Sequence, residues 1–158
     1  KEFKMTSNKF SFTKVLSAND IGKTGSHQSG IVIPRKREIL ALFPTLDSTC
    51  LNPSAEINSV TDIDGTPHSF LLRFIYYNGR LLGENSRNEY RLTRMTALFR
   101  LLNPYEGDSL ELSKTSHFGL LLRLHPNLEE QENSLSSSDH NSPKIKYLSN
   151  GWTMKSIN

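Results

Sequence analysis

The pattern of apolar and polar residues along the chain predicts a succession of short β-strands. The strongest signal is Ser69 to Tyr77, which reads SFLLRFIYY and is dominated by aromatic and β-branched residues. The remaining predicted strands are Phe10 to Leu16, GIVIP at Gly30 to Pro34, Ala55 to Asp62, Ser109 to Ser113, Phe118 to Leu124, Lys144 to Leu148 and the region of Trp152.

Two segments have helical rather than strand periodicity. Pro34 introduces an apolar-periodic stretch that predicts a helix through about Phe43, and Thr96 to Leu102 predicts a second short helix. The letters NGR at Asn78 to Arg80 are a turn signal. Many short strands with two brief helices favour a mainly β barrel or sandwich over a doubly wound α/β fold.

Two polar segments interrupt this pattern. Ser17 to Gly30, SANDIGKTGSHQSG, is a long loop, and long ordered loops in compact domains often carry function. Residues 126–143, which include NLEEQENSLSSSDHNSP, have linker composition and predict a flexible surface loop. Residues 1–158 are expected to form one domain, since the length suits a single core.

The charges are unevenly distributed along the chain. The net charge is only +3, but five arginines are concentrated in one short stretch and carboxylates dominate the chain beyond it. A basic face opposite an acidic face is therefore expected. The five arginines are Arg80, Arg87, Arg91, Arg94 and Arg100.

The sequence contains neither an apolar run long enough to span a membrane nor a charged-then-apolar leader, so a soluble, cytoplasmic protein without membrane contact is expected. Cys50 is the single cysteine and is expected to be a reduced thiol. The chain begins at Lys1 rather than methionine, which suggests a fragment or a processed product of a longer protein.

Motifs for catalysis or cofactor binding are weak. The letters GKT at Gly22 to Thr24 resemble the end of a phosphate-binding loop, but the glycine required five residues before Gly22 is Ser17. The histidines are scattered without metal-ligand spacing, which gives a zinc site little support.

The carboxylates and serines give no better signal. Asp62 and Asp64 lie in a glycine-containing turn without a following Glu-x-Lys strand, so they are expected to form a turn rather than bind magnesium. No Gly-x-Ser-x-Gly elbow is present. Catalysis by this chain and a cofactor are therefore not expected.

The segment SRNEYRLTR, Ser86 to Arg94, admits two geometries. In a helix, Arg87, Arg91 and Arg94 share one face and form a basic stripe suited to phosphates. In a strand, Arg87, Glu89 and Arg91 share one face, with Asn88 and Tyr90 opposite. Arginine can donate two hydrogen bonds to guanine, and glutamate can accept one from cytosine N4. A solvated face with local ion pairs is the alternative.

Several segments occur in an order that resembles a known family. LSANDIGKTGSHQSGIVIP, LFP, LNPS, IYYN and SRNEYRLTR, between about Lys14 and Arg94, are similar to the N-terminal effector domain of EcoRII-type restriction endonucleases. The C-terminal third of the chain resembles that domain less. The resemblance implies a DNA-binding pseudobarrel of the kind shared with plant B-three transcription-factor domains, whose two arms grip the major groove.

The resemblance also implies which residues contact DNA. The N-terminal arm would be Ser17 to Gly30 and the C-terminal arm Glu84 to Arg94, with Glu89 and Arg91 reading bases and outer arginines holding phosphates. The complete set of implied DNA-contacting residues is Lys14, Lys23, Thr24, His27, Gln28, Arg80, Arg87, Asn88, Glu89, Tyr90, Arg91 and Arg94.

The chain departs from the family pattern at one position. The EcoRII segment reads Arg-Asn-Glu-Lys-Arg, whereas the penultimate residue here is Tyr90. Tyrosine keeps a donor and an acceptor but lacks a fixed charge, so this position leaves the identity of the target sequence open.

Three hypotheses for function remain open. The first is sequence-specific recognition of double-stranded DNA, at a short C:G-rich site such as CCWGG, by the DNA-binding domain of a prokaryotic restriction endonuclease. Its partners would be the DNA and a covalently linked nuclease domain outside this chain. The second is the DNA-binding domain of a transcription regulator, and the third is a protein-interaction β domain whose basic patch meets an acidic partner.

Overall fold

The structure, a computed structural model, describes residues 10–23, 30–115, 119–128 and 144–157. It contains nine strands and two short helices within these ranges. The strands are β1 (Phe10–Val15), β2 (Ile31–Ile33), β3 (Ser54–Ile63), β4 (Thr66–Tyr77), β5 (Glu89–Thr93), β6 (Ser109–Thr115), β7 (Gly119–His125), β8 (Ile145–Tyr147) and β9 (Trp152–Ser156). The helices are α1 (Arg37–Leu40) and α2 (Thr96–Leu102).

All nine strands belong to one sheet in the order β2-β5-β4-β3-β7-β6-β1-β9-β8. Neighbouring strands are antiparallel except β3 and β7, which are parallel. The long hairpin of β3 and β4 lies near the middle of one half of the sheet and supports β5 on its outer side.

The two ends of the sheet come together. The indole Nε1 of Trp152 on β9 donates a hydrogen bond of 3.0 Å to the backbone oxygen of Val32 on β2. In addition, Lys146 on β8 forms an ion pair of 3.1 Å with Glu38 on α1, the helix that follows β2. The backbone and side chains of opposite ends are thus linked, and the sheet encloses its core as a pseudobarrel.

Alternating side chains of the strands fill that core. Along β4, Leu72 and Phe74 are buried while Leu71 is half exposed, as the period of two in a strand requires. Trp152 and Phe12 are the largest fully buried side chains, so the N-terminal and C-terminal strands contribute directly to the same core.

Most strands and helices lie where the sequence predicted them, but the first helix is shorter than predicted. The predicted mainly β class and the bounds of α2 are confirmed. The first helix, expected through Phe43, is only four residues long. Phe43 precedes Pro44, which disfavours helical backbone at Phe43. The chain instead leaves α1 in tight turns, in which Leu42 and Phe43 donate backbone hydrogen bonds to Ile39 and Leu40.

The carboxylates Asp62 and Asp64 form a turn, as predicted. Asp64 and Gly65 have φ angles of 52° and 83° and connect β3 to β4. An Asp-Gly pair with two positive φ angles is the favoured two-residue hairpin connection. The Asp62 carboxylate accepts the Gly65 N–H at 2.8 Å, which completes the turn.

Some predictions fall outside the described residues. The strand assigned to Phe118 to Leu124 is observed from Gly119, and Phe118 itself is not described. Most of the predicted surface loop at 126–143 is also not described; its first residues, Pro126 to Leu128, are exposed. Among the described residues, no helix is long and apolar enough to cross a membrane.

Candidate nucleic-acid interface

The arginine segment forms a strand, and this decides between its two possible geometries. β5 pairs with β4 on one side and with β2 on the other. Leu92 is fully buried, so alternate positions Glu89, Arg91 and Thr93 lie on the outer face of β5. The extended arrangement is therefore present, and the helical stripe is absent.

Three charged side chains cluster on this outer face. Glu89 Oε1 accepts a hydrogen bond from Arg87 Nη2 and another from Arg91 Nη1, both at 3.3 Å. The side chains of Arg87, Glu89 and Arg91 are 48%, 31% and 21% exposed. An arginine has five donors and a carboxylate about four acceptor positions. The cluster can therefore hold its own geometry and still offer hydrogen bonds to a ligand.

Tyr77 supports this cluster from the neighbouring strand. It lies directly opposite Glu89 in the β4–β5 register. The Arg87 guanidinium carbon lies 4.0 Å from the centre of the Tyr77 ring. Guanidinium groups are attracted to the face of an aromatic ring at this distance. Tyr77 thus fixes Arg87, which in turn fixes one side of the Glu89 carboxylate.

Tyr90 lies on the other face of β5, in an aromatic stack. Phe43, Phe74, Tyr90 and Tyr76 are stacked in that order, with centroid distances of 4.3, 5.4 and 4.2 Å. Burial raises the pKa of Tyr90, and neighbouring Tyr76 adds to this rise. Strand alternation therefore directs the Tyr90 ring toward the core, on the face opposite Glu89 and Arg91, as the extended geometry predicts.

Asn88 is held from two directions. Its Oδ1 accepts hydrogen bonds from the Tyr76 hydroxyl at 2.8 Å and from Arg35 Nη1 at 3.3 Å. Since the aromatic stack ends at Tyr76, Asn88 connects the core to the chain immediately before Glu89. The start of β5 is consequently anchored on its inner side as well as along its edges.

Residues 78–88, the loop between β4 and β5, are compact and hydrogen bonded. Asn78 is fully buried; its side chain accepts the Asn52 N–H and donates to the backbone oxygens of Ser48 and Cys50. A Cβ at Gly79 would lie 2.3 Å from the Asn85 side chain and would displace it from its hydrogen bond to the Arg87 N–H. Arg80 is exposed on this ordered loop.

The loop at 17–30 leaves the sheet at the opposite end of β5. Ile31, just after this loop, pairs with Leu92, whereas Tyr77, just before the 78–88 loop, pairs with Glu89. The 78–88 loop and Gly30 thus lie at opposite ends of β5. Arg94, which follows β5, has a φ of 62° and forms an exposed ion pair of 3.4 Å with Glu56.

Lys14 has a structural position at the base of the 17–30 loop. Its side chain is 9% exposed, and its ammonium pairs with the buried carboxylate of Asp20 and with the Val15 backbone oxygen. Asp20 also accepts the Ser17 N–H at 2.9 Å, and the Ser17 hydroxyl accepts the Asp20 N–H at 3.2 Å. The ammonium expected to contact DNA is therefore occupied within the fold.

The remaining predicted residues of this loop are only partly described. Lys23 is exposed, and its ammonium lies 5.2 Å from the centre of the Tyr105 ring. Thr24, His27 and Gln28 lie outside the described residues.

One basic group near the interface was missed by the sequence analysis. Arg35, Lys36 and Arg37 are three consecutive exposed cations, and Arg35 contacts Asn88. The run of three basic residues directly after Pro34 was the available signal. Only the pairing of β2 with β5 in the fold places this basic run near β5.

The described residues contain no group of three or more histidines, cysteines or carboxylates that could hold a metal ion. Cys50 is exposed in a turn, where its thiol donates to Asp47 at 3.4 Å.

Solved structures show which class of fold this is. The chain is similar to a structure described as the Arabidopsis FUS3-DNA complex, with a TM-score of 0.53 and 17% sequence identity. The similarity covers 72% of this chain and 93% of that one. The fold is therefore the mainly β pseudobarrel of the plant B-three domains, as the sequence predicted.

Sequence comparison defines the family within that fold. Residues 5–122 match the family described as restriction endonuclease EcoRII, N-terminal. The chain belongs to this family. It is also 44% identical over 98 residues to the type II restriction enzyme EcoRII of Escherichia coli, and this match covers 60% of the chain but 24% of that enzyme. The chain thus corresponds to a limited part of its relative.

Proposed function

We propose that this chain is the DNA-binding domain of a restriction endonuclease and recognises a short sequence in double-stranded DNA. The observation that carries the proposal is the outer face of β5, where Glu89 lies between Arg87 and Arg91. Membership in the EcoRII N-terminal family and the fold shared with a protein solved as a DNA complex support it.

In this proposal two arms enter the major groove: the loop Ser17 to Gly30, and the segment Glu84 to Arg94, which includes β5. Arg91 donates two hydrogen bonds to guanine N7 and O6, and Glu89 accepts one from cytosine N4. A carboxylate near phosphates is normally repelled. Here the flanking guanidinium groups of Arg87 and Arg91 offset that charge and hold the carboxylate in place.

Other cations position the duplex without reading its sequence. Arg80, Arg87, Arg94 and Lys23 are the proposed phosphate contacts, because each is exposed at or beside the outer face of β5 or its flanking loops. Lys14 instead positions the base of the 17–30 loop through Asp20. We propose CCWGG as the first target to test, and cleavage by a separate nuclease domain linked to this one.

The test measures binding of Arg91→Ala, Glu89→Gln and Lys23→Ala to cognate, single-mismatch and random duplexes at one fixed salt concentration. Arg91→Ala should weaken cognate binding by about 1 to 3 kcal/mol and leave random binding nearly unchanged, because it removes a base contact. Lys23→Ala should weaken binding to all duplexes by the same factor. Glu89→Gln should relax the preference at one cytosine, since an amide also donates.

The exposed Arg123 on β7 provides a matched control, because β7 carries none of the proposed contacts. Arg123→Ala should bind all duplexes like the unmodified chain. If Arg91→Ala lowers cognate and random binding equally, β5 does not read bases and the proposal fails. A chain that prefers an acidic protein partner and binds all duplexes alike would also contradict it.

A further inference from the structure

A small open cleft lies between the 17–30 loop and α2. Its volume is about 250 Å³, and it is lined by Ile21, Lys23, Thr96, Phe99, Arg100, Asn103 and Pro104. Lys23 and Arg100 are distant in sequence, so only the fold brings their charges to one place. Neither residue forms a salt bridge with another described residue.

The two walls of this cleft are held in position by packing and hydrogen bonding. Leu98 and Phe99 are buried, which fixes the rotation of α2 and leaves Arg100 exposed in its last turn. On the other wall, the Lys23 N–H donates to the backbone oxygen of Ala18 at 3.0 Å, and the Lys23 ammonium lies over the Tyr105 ring. The cleft is consequently formed before any ligand binds.

The charge of the cleft favours an anion. Its lining contains two cations and no carboxylate, together with the Thr96 hydroxyl and the Asn103 amide as further donors. Acidic residues line a separate cleft that holds Tyr105, Glu106 and Asp108 and shares Asn103 with this one. The C-terminus of α2 contributes about half a negative charge at most, which is less than the two positive side chains supply.

The location of the cleft connects it to the proposed interface. β5 ends at Thr93, and α2 begins at Thr96 after only Arg94 and Met95. The cleft therefore lies at the end of β5 where the 17–30 loop leaves the sheet. A duplex on the outer face of β5 would continue past this end and bring its backbone toward Lys23 and Arg100.

From this geometry we infer that the cleft binds one phosphate group of the DNA backbone, held jointly by Lys23 and Arg100. The inference rests on the proposed function and extends it, since it assigns Arg100, Thr96 and Asn103 to a phosphate site and makes the two cations act on the same group.

Binding of a duplex as a function of salt concentration tests this inference. Each neutralised phosphate contributes about 0.9 to the slope of log affinity against log salt concentration. Because both cations hold one phosphate, Lys23→Ala with Arg100→Ala should reduce the slope by about 0.9, and the double variant should lose less affinity than the product of the two single losses. The ratio of cognate to random binding should stay unchanged.

Arg123→Ala is again the control, and circular dichroism verifies that each variant is folded. If Arg100→Ala binds DNA like Arg123→Ala, the inference is overturned. A slope reduced by about 1.8 with multiplying losses would show two separate phosphates and overturn the shared site.

Inorganic phosphate distinguishes a cleft that binds a free phosphate ion from one that binds a phosphate of the DNA backbone. If it shifts the Thr96 and Asn103 amide resonances at constant ionic strength while Arg100→Ala leaves duplex binding unchanged, the cleft takes a free anion and its assignment to DNA is wrong. The proposed function fails separately if the unmodified chain shows no sequence preference. The slope experiment still reports on the cleft in that case, because phosphate contacts carry no sequence information.

Discussion

At the scale of single residues, strand alternation places Tyr90 on the opposite face of β5 from its sequence neighbours Glu89 and Arg91. Glu89 and Arg91 lie on the outer face of β5, whereas the Tyr90 ring is stacked between Phe74 and Tyr76. The departure from the family segment Arg-Asn-Glu-Lys-Arg left the recognised bases open. Because Tyr90 packs beneath β5, we propose that this departure affects packing rather than base reading.

Tyr90→Phe should therefore leave DNA discrimination unchanged, because it keeps the ring and removes only the hydroxyl. Tyr90→Leu should lower the free energy of unfolding by about 1 to 3 kcal/mol, since it loses two aromatic contacts of about 0.5 to 1.5 kcal/mol each. Chemical denaturation and duplex binding of both variants check this. Lost discrimination in a fully folded Tyr90→Phe would place the hydroxyl at the bases.

A pH titration provides a further check on this residue. Burial raises the pKa of Tyr90 above its ordinary value of 10.0. The stability that this group contributes is complete below the unfolded-state pKa and is lost as the pH rises through the higher folded-state pKa. In an absorbance titration, the unmodified chain should show one more tyrosine than Tyr90→Phe, and this tyrosine should ionise at a pH above its ordinary pKa.

At the scale of elements, β4 and β5 act as a unit in which Tyr77 positions Arg87. The ring and guanidinium are 4.0 Å apart, and an exposed contact of this kind contributes about 0.5 to 1 kcal/mol. Arg87 in turn holds the proposed base-reading carboxylate of Glu89. Tyr77→Leu should therefore reduce the ratio of cognate to random binding about twofold to fivefold, which is that energy expressed as affinity.

Tyr77→Phe distinguishes positioning from a direct contact of the hydroxyl with DNA. It keeps the aromatic face and should retain normal discrimination. Leu71→Ala is the matched control on the same strand, since Leu71 is half exposed and does not contact Arg87 through any described interaction. If Tyr77→Phe and Tyr77→Leu lose discrimination equally, the hydroxyl rather than the ring is responsible.

At the base of the 17–30 loop, Lys14 has a structural role in the fold. Lys14 and Asp20 form a buried ion pair, and removal of one partner from such a pair typically costs about 3 to 5 kcal/mol. Lys14→Met should therefore destabilise the domain by about that amount. Lys14→Met with Asp20→Asn should recover much of the loss, because the amide oxygen still accepts the Ser17 N–H.

The double variant also tests the predicted contact of Lys14 with DNA. With the fold retained, its salt dependence of duplex binding should equal that of the unmodified chain. A slope lower by about 0.9 would show that Lys14 does neutralise a phosphate in the complex.

At the scale of the whole molecule, closure of the sheet links the C-terminal strand β9 to the proposed interface. Trp152 on β9 donates to Val32 on β2, and β2 in turn pairs with β5. The C-terminal strand thus supports the proposed interface indirectly, although the family match ends at residue 122.

Trp152→Phe should lower the free energy of unfolding by at least about 0.5 to 1.5 kcal/mol, because it removes the indole N–H that bonds to Val32 and leaves a smaller ring in the core. Denaturant unfolding measures this change. Lys146→Ala is the contrasting variant; its exposed ion pair with Glu38 should add little to stability. An equal loss in both variants would mean that the indole hydrogen bond has no special role in closure.

The sequence by itself determined the mainly β class, the bounds of α2 and the family. These properties depend on local patterns: the period of two along SFLLRFIYY, the short apolar run at Thr96 to Leu102, and ordered motifs from the 17–30 loop to β5. It also identified Arg87, Glu89 and Arg91 as one possible face, since alternation in a strand is a local property.

Tertiary structure decided what local patterns leave open. Pairing of β5 between β2 and β4 selected the extended geometry, directed Tyr90 inward and brought Tyr77 under Arg87. The buried carboxylate of Asp20 removed the Lys14 ammonium from the surface, and α2 placed Arg100 beside Lys23. Each outcome depends on contacts between distant segments, whose geometry is fixed only when the sheet curls and its two ends join.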